Sequence, residues 1–163
     1  MTTRHLNILL ADDDMDDCLF FKHALEELPL STQLTTVHDG EQLMNYLSEN
    51  SSRPERTDVL FLDINMPRKN GLECLSDIKR NPKLKNIPVV MFSTSNSWDS
   101  INMLFKSGSH VYIHKPSDFA QLKQVISHAL PIAAEEIFSR SPLKYILNAS
   151  NEDRPKQVKR AEK

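Results

Sequence analysis

With 163 residues, 39% of them hydrophobic and 26% charged, the chain has the make-up of one soluble globular domain plus an appendage. A net charge of −2 excludes a nucleic-acid-binding surface spread over the whole domain, and no apolar run approaches the roughly 18 residues that a membrane helix needs. The start, MTTRHLN, shows no apolar signal region, and Cys18 and Cys74 stand outside any CxxC or Cys/His spacing, so the expected compartment is the cytoplasm and both thiols are expected in the core.

The first predicted strand, LNILLA at 6–11, runs directly into Asp12, Asp13, Asp14, Asp16 and Asp17, five aspartates in six positions. A helix follows, with Leu19, Phe20, His23, Ala24 and Glu27 at helical spacing. QLTTVH (33–38) is the second strand, and Leu43, Met44 and Leu47 mark the second helix. DVLFLD (58–63) is the third strand, followed by a helix marked by Leu72, Leu75 and Ile78. IPVVMFS (87–93) is the fourth, followed by the helix SWDSINMLFKSG, which closes at Gly108, a C′ glycine. HVYIHK (110–115) is the fifth strand, and Ser117–Asp118 caps the helix FAQLKQVISHAL. Pro131 is expected to end or kink that helix. The expected organisation is a domain over 1–130, a helical extension over 131–147 and a polar, disordered tail over 148–163, the tail carrying five Lys/Arg against three Asp/Glu.

Short continuous apolar runs alternating with helices imply strands covered on both faces, hence an α/β protein with a parallel sheet. Five such units are too few for an eight-stranded barrel. The expected fold is a doubly wound five-stranded parallel sheet, flavodoxin-like (βα)5, whose common strand order at this size is 2-1-3-4-5.

In such a sheet ligands bind beyond the carboxyl ends of the strands where the order reverses, here between the first and third. Asp12 and Asp13 end the first strand and Asp63 ends the third. Three carboxylates meeting at one crevice require a compensating cation. Oxygen-only ligands indicate a hard ion, magnesium before calcium, since the D-x-[DN]-x-[DN]-G loop is absent. Asp14, Asp16 and Asp17 have a plainer role: acids in a first helical turn are stabilised by the helix dipole, with Asp14 as N-cap. Ser93 ends the fourth strand with a hydroxyl and Lys115 ends the fifth with a compact ammonium, kept out of helical geometry by Pro116. Together these groups make a phosphoryl site. The six histidines form no metal spacing, His114 is expected on the face opposite Lys115, and Trp98 is expected in the core or on a partner surface.

The motifs LLADDD (9–14), LFLDINMPRKNG (60–71), PVVMFSTS (88–95) and YIHKP (112–116) resemble the receiver domains of two-component response regulators. The resemblance covers residues 6–130 and implies the same fold and strand order. It implies that Asp63 accepts a phosphoryl group from a sensor histidine kinase or a histidine phosphotransfer protein. Asp12, Asp13, Asp63 and the main-chain carbonyl of Asn65 would hold magnesium, and Ser93 and Lys115 would contact the phosphoryl oxygens. Gly71, eight residues after the acceptor, matches the loop glycine. Tyr112 matches the aromatic switch, turning inward as Ser93 moves toward the phosphoryl group. Asn65 and Ser95 match positions that tune dephosphorylation, and the chain would act on its own phosphoryl group only.

Too few residues follow the fifth helix for a fused output domain, so the expected output is contact with a downstream protein, or a homodimer through the fourth helix, fifth strand and fifth helix, with no nucleic acid and no membrane. The segments NSSRPERTD and IKRNPKLKNIPVV resemble the single-domain subgroup associated with bacterial phytochrome kinases. Two rivals share some of these residues. A haloacid-dehalogenase-type phosphatase needs a second acid where Asn65 stands. A pseudo-receiver, a phosphorylation-independent interaction module, would be marked by loss of the acceptor, the acid pair or the lysine, and all are present.

Overall fold

The computed structural model describes residues 5–50, 57–94, 98–109, 111–139, 144–147 and 156–158. Its elements in chain order are β1 (Leu6–Ala11), α1 (Met15–Glu26), β2 (Thr32–Val37), α2 (Gly40–Asn50), β3 (Val59–Asp63), α3 (Gly71–Arg80), β4 (Val89–Ser93), α4 (Trp98–Lys106), β5 (Val111–His114), α5 (Phe119–Ser139), β6 (Lys144–Leu147) and β7 (Lys156–Val158). The five expected strands pair in parallel in the order β2-β1-β3-β4-β5.

Both faces of the sheet are covered, and the alternation of side chains divides the core in two. Ile8, Leu10, Phe61, Val90, Phe92 and Ile113 pack beneath α1 and α5, while Leu9, Leu60, Leu62, Met91 and Tyr112 pack beneath α2, α3 and α4. Each fully buried Leu, Ile or Phe contributes about 1.5–3 kcal/mol, so neither half tolerates a one-residue slip of a strand. Register therefore fixes the strand ends. Ala11 pairs with Leu62, Asp63 with Phe92, and Ser93 with His114, which brings Asp12, Asp63, Ser93 and Lys115 to one edge of the sheet.

Of the residues that mark the first helix in the sequence, Ala24 lies on the inner face of α1. Cys18, Phe21, Ala24 and Leu25 are buried, whereas Leu19 and Phe20 are 50% and 53% exposed. The buried set follows the i, i+3, i+6, i+7 stripe, and Phe21 anchors it edge-on to Phe61 at 4.9 Å and Phe92 at 6.1 Å. Both cysteines are buried as expected, with their thiol pKa values pushed up by burial.

Beyond the fifth strand the structure departs from the expected helical extension. α5 continues through Pro131 to Ser139. A proline deletes one helical hydrogen bond, and the Ala- and Glu-containing stretch after it propagates the remainder. Lys144–Leu147 is a strand, not a helix: Tyr145, Ile146 and Leu147 suit an extended backbone, and β6 adds in parallel to the open edge of β5. Of the expected tail, Lys156–Val158 pairs antiparallel with β6; positions 148–155 and 159–163 lie outside the described residues. Among the described residues no helix is long and apolar enough to cross a membrane.

Candidate functional site

The site is assembled where apolar strands stop and charged residues take over. β1 ends at Ala11, and the backbone turns at once into α1. Asp14 caps that helix, its Oδ1 accepting from the amides of Asp16 at 2.9 Å and Asp17 at 3.1 Å. The turn is held from the other side by Asp12, whose Oδ1 accepts from the Asp14 amide at 3.0 Å. Asp12 is fully buried, Asp13 exposed and Asp63 buried, and their carboxylate oxygens lie within 4.8 Å of one another.

Asp63 ends β3 above the loop that leads to α3. Its Oδ1 accepts from the Asn65 amide at 3.4 Å, so the carboxylate has little hydrogen bonding to stabilise its charge. Burial pushes the Asp63 carboxyl up to about 6; Lys115 opposes that rise, while Asp12 and Asp13 add to it. The loop closes tightly. The Gly71 amide donates to the Ile64 carbonyl at 2.8 Å, and a Cβ on Gly71 would lie 2.0 Å from the Asp63 carbonyl oxygen. Only glycine admits that approach, which is the obstruction the sequence position implied. α3 then starts on a capping box between Asn70 and Glu73.

Lys115 leaves β5 with its amide bonded to the Ser93 carbonyl at 2.7 Å. Its Nζ lies 2.8 Å from Asp12 Oδ2, 3.1 Å from Asp17 Oδ2 and 3.6 Å from Asp63 Oδ2, and 5.2 Å from the centre of the Phe92 ring. Burial alone would depress the lysine pKa; Asp12, Asp63 and Asp17 reverse that and hold it above the ordinary value. Ser93 is fully buried and hydrogen-bonded to the Tyr112 hydroxyl. Tyr112 is only 1% exposed, so the ring that the family resemblance has turning inward already lies inside the molecule. Burial raises its phenol pKa, and the bond with Ser93 works against that rise.

The structure thus brings together Asp12, Asp13, Asp63, Ser93 and Lys115, with Tyr112 beneath them and Asn65 on the rim. His114 lies apart, its ring bonded to the Thr94 carbonyl at 3.1 Å. Ser95 lies outside the described residues. Three contacts escaped the sequence reading. Asp17 bonds Lys115, and the Asp12 carbonyl is held by His38 Nδ1 at 3.2 Å and the Cys18 thiol at 3.4 Å. An acid in the first turn beside the pocket was visible in sequence; its partner, 98 residues away, was not.

The donor set fits a divalent cation. Asp12, Asp17 and Asp63 face one ammonium and Asp13 adds a fourth carboxylate to the crevice, which leaves an excess of negative charge, and every available ligand atom of the cluster is an oxygen. Fold and site together define a class: an open parallel α/β domain whose strand-end crevice places a carboxylate, a hydroxyl and an ammonium around an oxygen-ligand metal site. The response regulator receiver domain family matches residues 8–127, and the chain belongs to that family.

It is 32% identical over 124 residues to the response regulator Rcp1 of Synechocystis sp., covering 73% of this chain and 82% of that protein. The crystal structure of the phosphorylated cyanobacterial phytochrome response regulator RcpA matches with a TM-score of 0.72 and 33% identity, covering 85% of this chain and 97% of that one. The Mn(2+)-bound form of Rcp1 matches with a TM-score of 0.65 and 29% identity, covering 82% and 93%. The protein is therefore a two-component receiver domain, from a family that takes phosphoryl groups from histidine kinases, and its acidic cluster has the oxygen donors to hold a divalent cation.

Proposed function

We propose that Asp63 accepts a phosphoryl group from a sensor histidine kinase or a histidine phosphotransfer protein, and that this changes the surface formed by α4, β5 and α5. The observation that carries the reading is the convergence of Asp12, Asp13 and Asp63 within 4.8 Å, with the Lys115 ammonium 3.6 Å from Asp63. The cation is magnesium, held by Asp12, Asp13 and Asp63 with the Asn65 carbonyl; when bound it supplies positive charge for the phosphoryl oxygens.

The remaining work belongs to the chain. An Asp63 carboxylate oxygen attacks the phosphorus of a phosphohistidine, a P–O bond forms, the P–N bond breaks, and the imidazole leaves with the electron pair. Lys115 neutralises charge on the phosphoryl oxygens. Ser93 donates its hydroxyl to one of them and so exchanges its Tyr112 partner for the phosphoryl group. Tyr112 loses a buried hydrogen bond and biases β5 and its neighbours to a second arrangement.

Support for a helical donor comes from Met15, Leu19 and Phe20, which stand 62%, 50% and 53% exposed on α1 beside the crevice. A downstream protein, or a second copy of the chain, reads the altered face. The setting is the cytoplasm, and the chemistry is confined to the chain's own phosphoryl group, so the protein is a switch and not an enzyme acting on a separate substrate.

The test is intact mass after incubation with magnesium and acetyl phosphate, for the wild type and Asp63→Asn. A gain of one phosphoryl group in the wild type alone is expected. No gain in either protein, both folded and binding magnesium, overturns the reading in favour of a phosphorylation-independent interaction module.

A further inference from the structure

We propose that Asp17 is a positioning residue that tethers Lys115 and competes with the phosphoryl group for its ammonium. The inference deepens the function proposed above and rests on it. As an acid in the first turn of α1, Asp17 has a sufficient explanation in the helix dipole, and Asp16 shares that explanation. Only one of the two touches the site: among the described residues the carboxylate partners of Lys115 are Asp12, Asp17 and Asp63, and Asp16 is not among them.

The three contacts of Lys115 are unequal. Asp12 at 2.8 Å and Asp17 at 3.1 Å are hydrogen bonds. Asp63 at 3.6 Å is an ion pair beyond hydrogen-bond reach. The ammonium is thus held back from the acceptor by the two acids it bonds. A phosphoryl group on Asp63 adds anionic oxygens in front of the ammonium and draws it forward, and in this proposal one of the two bonds lengthens as it moves.

Burial decides which one. The Asp12 side chain is 1% exposed, so water cannot replace a hydrogen bond lost there and the interior carboxylate would be left to the bound cation alone. The Asp17 side chain is 40% exposed, so water replaces the ammonium at little cost. Asp17 is therefore the bond released. In the resting state it keeps Lys115 aimed into the crevice; once a phosphoryl group arrives, it is the competitor that must be displaced.

Asp17→Asn and Asp16→Asn remove the same charge from the same turn, and only the first cuts the tether. The probe is beryllium fluoride, a phosphoryl mimic, titrated by calorimetry at saturating magnesium. Asp17→Asn is expected to bind it roughly two- to fivefold tighter than the wild type, the size of a half-exposed ion pair, with Asp16→Asn unchanged. Equal shifts in the two variants reduce Asp17 to a helix-end charge and overturn the inference. Weaker binding in Asp17→Asn overturns it too, because Asp17 would then be delivering Lys115 and not competing for it. A wild type that takes no beryllium fluoride while binding magnesium overturns the functional reading and this inference together, whereas a wild type that binds with both variants alike overturns the inference alone.

Discussion

Two ionic clusters in this molecule use the same residue types to opposite effect. At the strand ends, Lys115 faces Asp12, Asp17 and Asp63 in a buried crevice. On α3 and the loop before it, Lys69 and Arg80 face Asp77 on a half-exposed surface. In the outer cluster two cations share one acid: hydrogen bonds from Lys69 and then Arg80 hold the Asp77 carboxyl below its usual range, while the bond to Asp77 raises Lys69. In the inner cluster several acids share one cation, and burial lifts the Asp63 carboxyl from its ordinary 3.8 to about 6. The outer arrangement is electrostatically satisfied and stabilises modestly. The inner one is under-compensated, and that deficit is what a bound cation relieves. An ion cluster marks function by being unbalanced and buried, not by being large.

The largest expected effect is loss of the one ammonium bonded within the inner cluster among the described residues. Lys115→Met leaves Asp12 buried without its partner, and unfolding in urea with a chelator present should show a loss of about 2–4 kcal/mol. Added magnesium should recover part of it by binding the folded state. A loss below that range, unaffected by magnesium, would mean the crevice is wetter than its burial indicates.

Asp63→Asn should move the metal-free protein in the other direction. Because the folded pKa lies above the unfolded one, ionising Asp63 costs stability. That cost is absent below about 3.8, grows as pH rises to about 6, and is constant above. At pH 7 the variant should therefore be more stable than the wild type by about 1–3 kcal/mol in chelator, with the gap closing as pH falls toward 4. A variant that is less stable at pH 7 would break the claim that Asp63 is an under-compensated charge. Magnesium should narrow the gap by stabilising the wild type selectively.

Much of the inner cluster was legible in the sequence because parallel sheets carry their polar residues at strand ends. Asp12, Asp63, Ser93 and Lys115 each follow an apolar run, and strand order places them side by side. Gly71 was legible only through the family resemblance, and its physical reason is that the loop over Asp63 leaves no space for a Cβ. The rest depended on geometry that spacing does not encode. The inner stripe of α1 is set by Phe21, which docks edge-on to Phe61 and Phe92, residues on two other elements, and so turns Leu19 and Phe20 outward. β6 was read as helix because IAAEEIF and LKYIL form one amphipathic run in sequence; the open edge of β5 decides otherwise. Lys115 with Asp17, and His38 with the Asp12 carbonyl, are tertiary contacts across long stretches of chain that no local spacing encodes.

A smaller effect is expected at Tyr112. Replacing it with Phe removes its hydrogen bond to Ser93 within a buried setting, and should cost about 0.5–1.5 kcal/mol in chelator. Under saturating beryllium fluoride and magnesium the deficit should shrink, because the phosphoryl mimic replaces Tyr112 as the partner of Ser93. An equal deficit in both states would show that Ser93 keeps Tyr112 throughout and that the two do not exchange.

The smallest effect belongs to the outer cluster, and it is the sharpest check on the contrast. Lys69→Met removes one of two cations from Asp77, and Arg80 remains 2.7 Å from the same carboxylate. With both side chains of the Lys69–Asp77 pair about a third exposed, water screens what is lost, and the expected cost is about 0.2–1 kcal/mol. Its pH dependence also has the opposite sign to that of Asp63: a depressed carboxylate stabilises above its unfolded pKa and loses that contribution as pH falls through the folded one. The difference between wild type and Lys69→Met should therefore shrink below about pH 4, fall further with added salt, and be indifferent to magnesium. A magnesium-dependent change in Lys69→Met would instead couple this surface to the crevice through the loop that joins Asp63 to α3, and the two clusters would have to be treated as one.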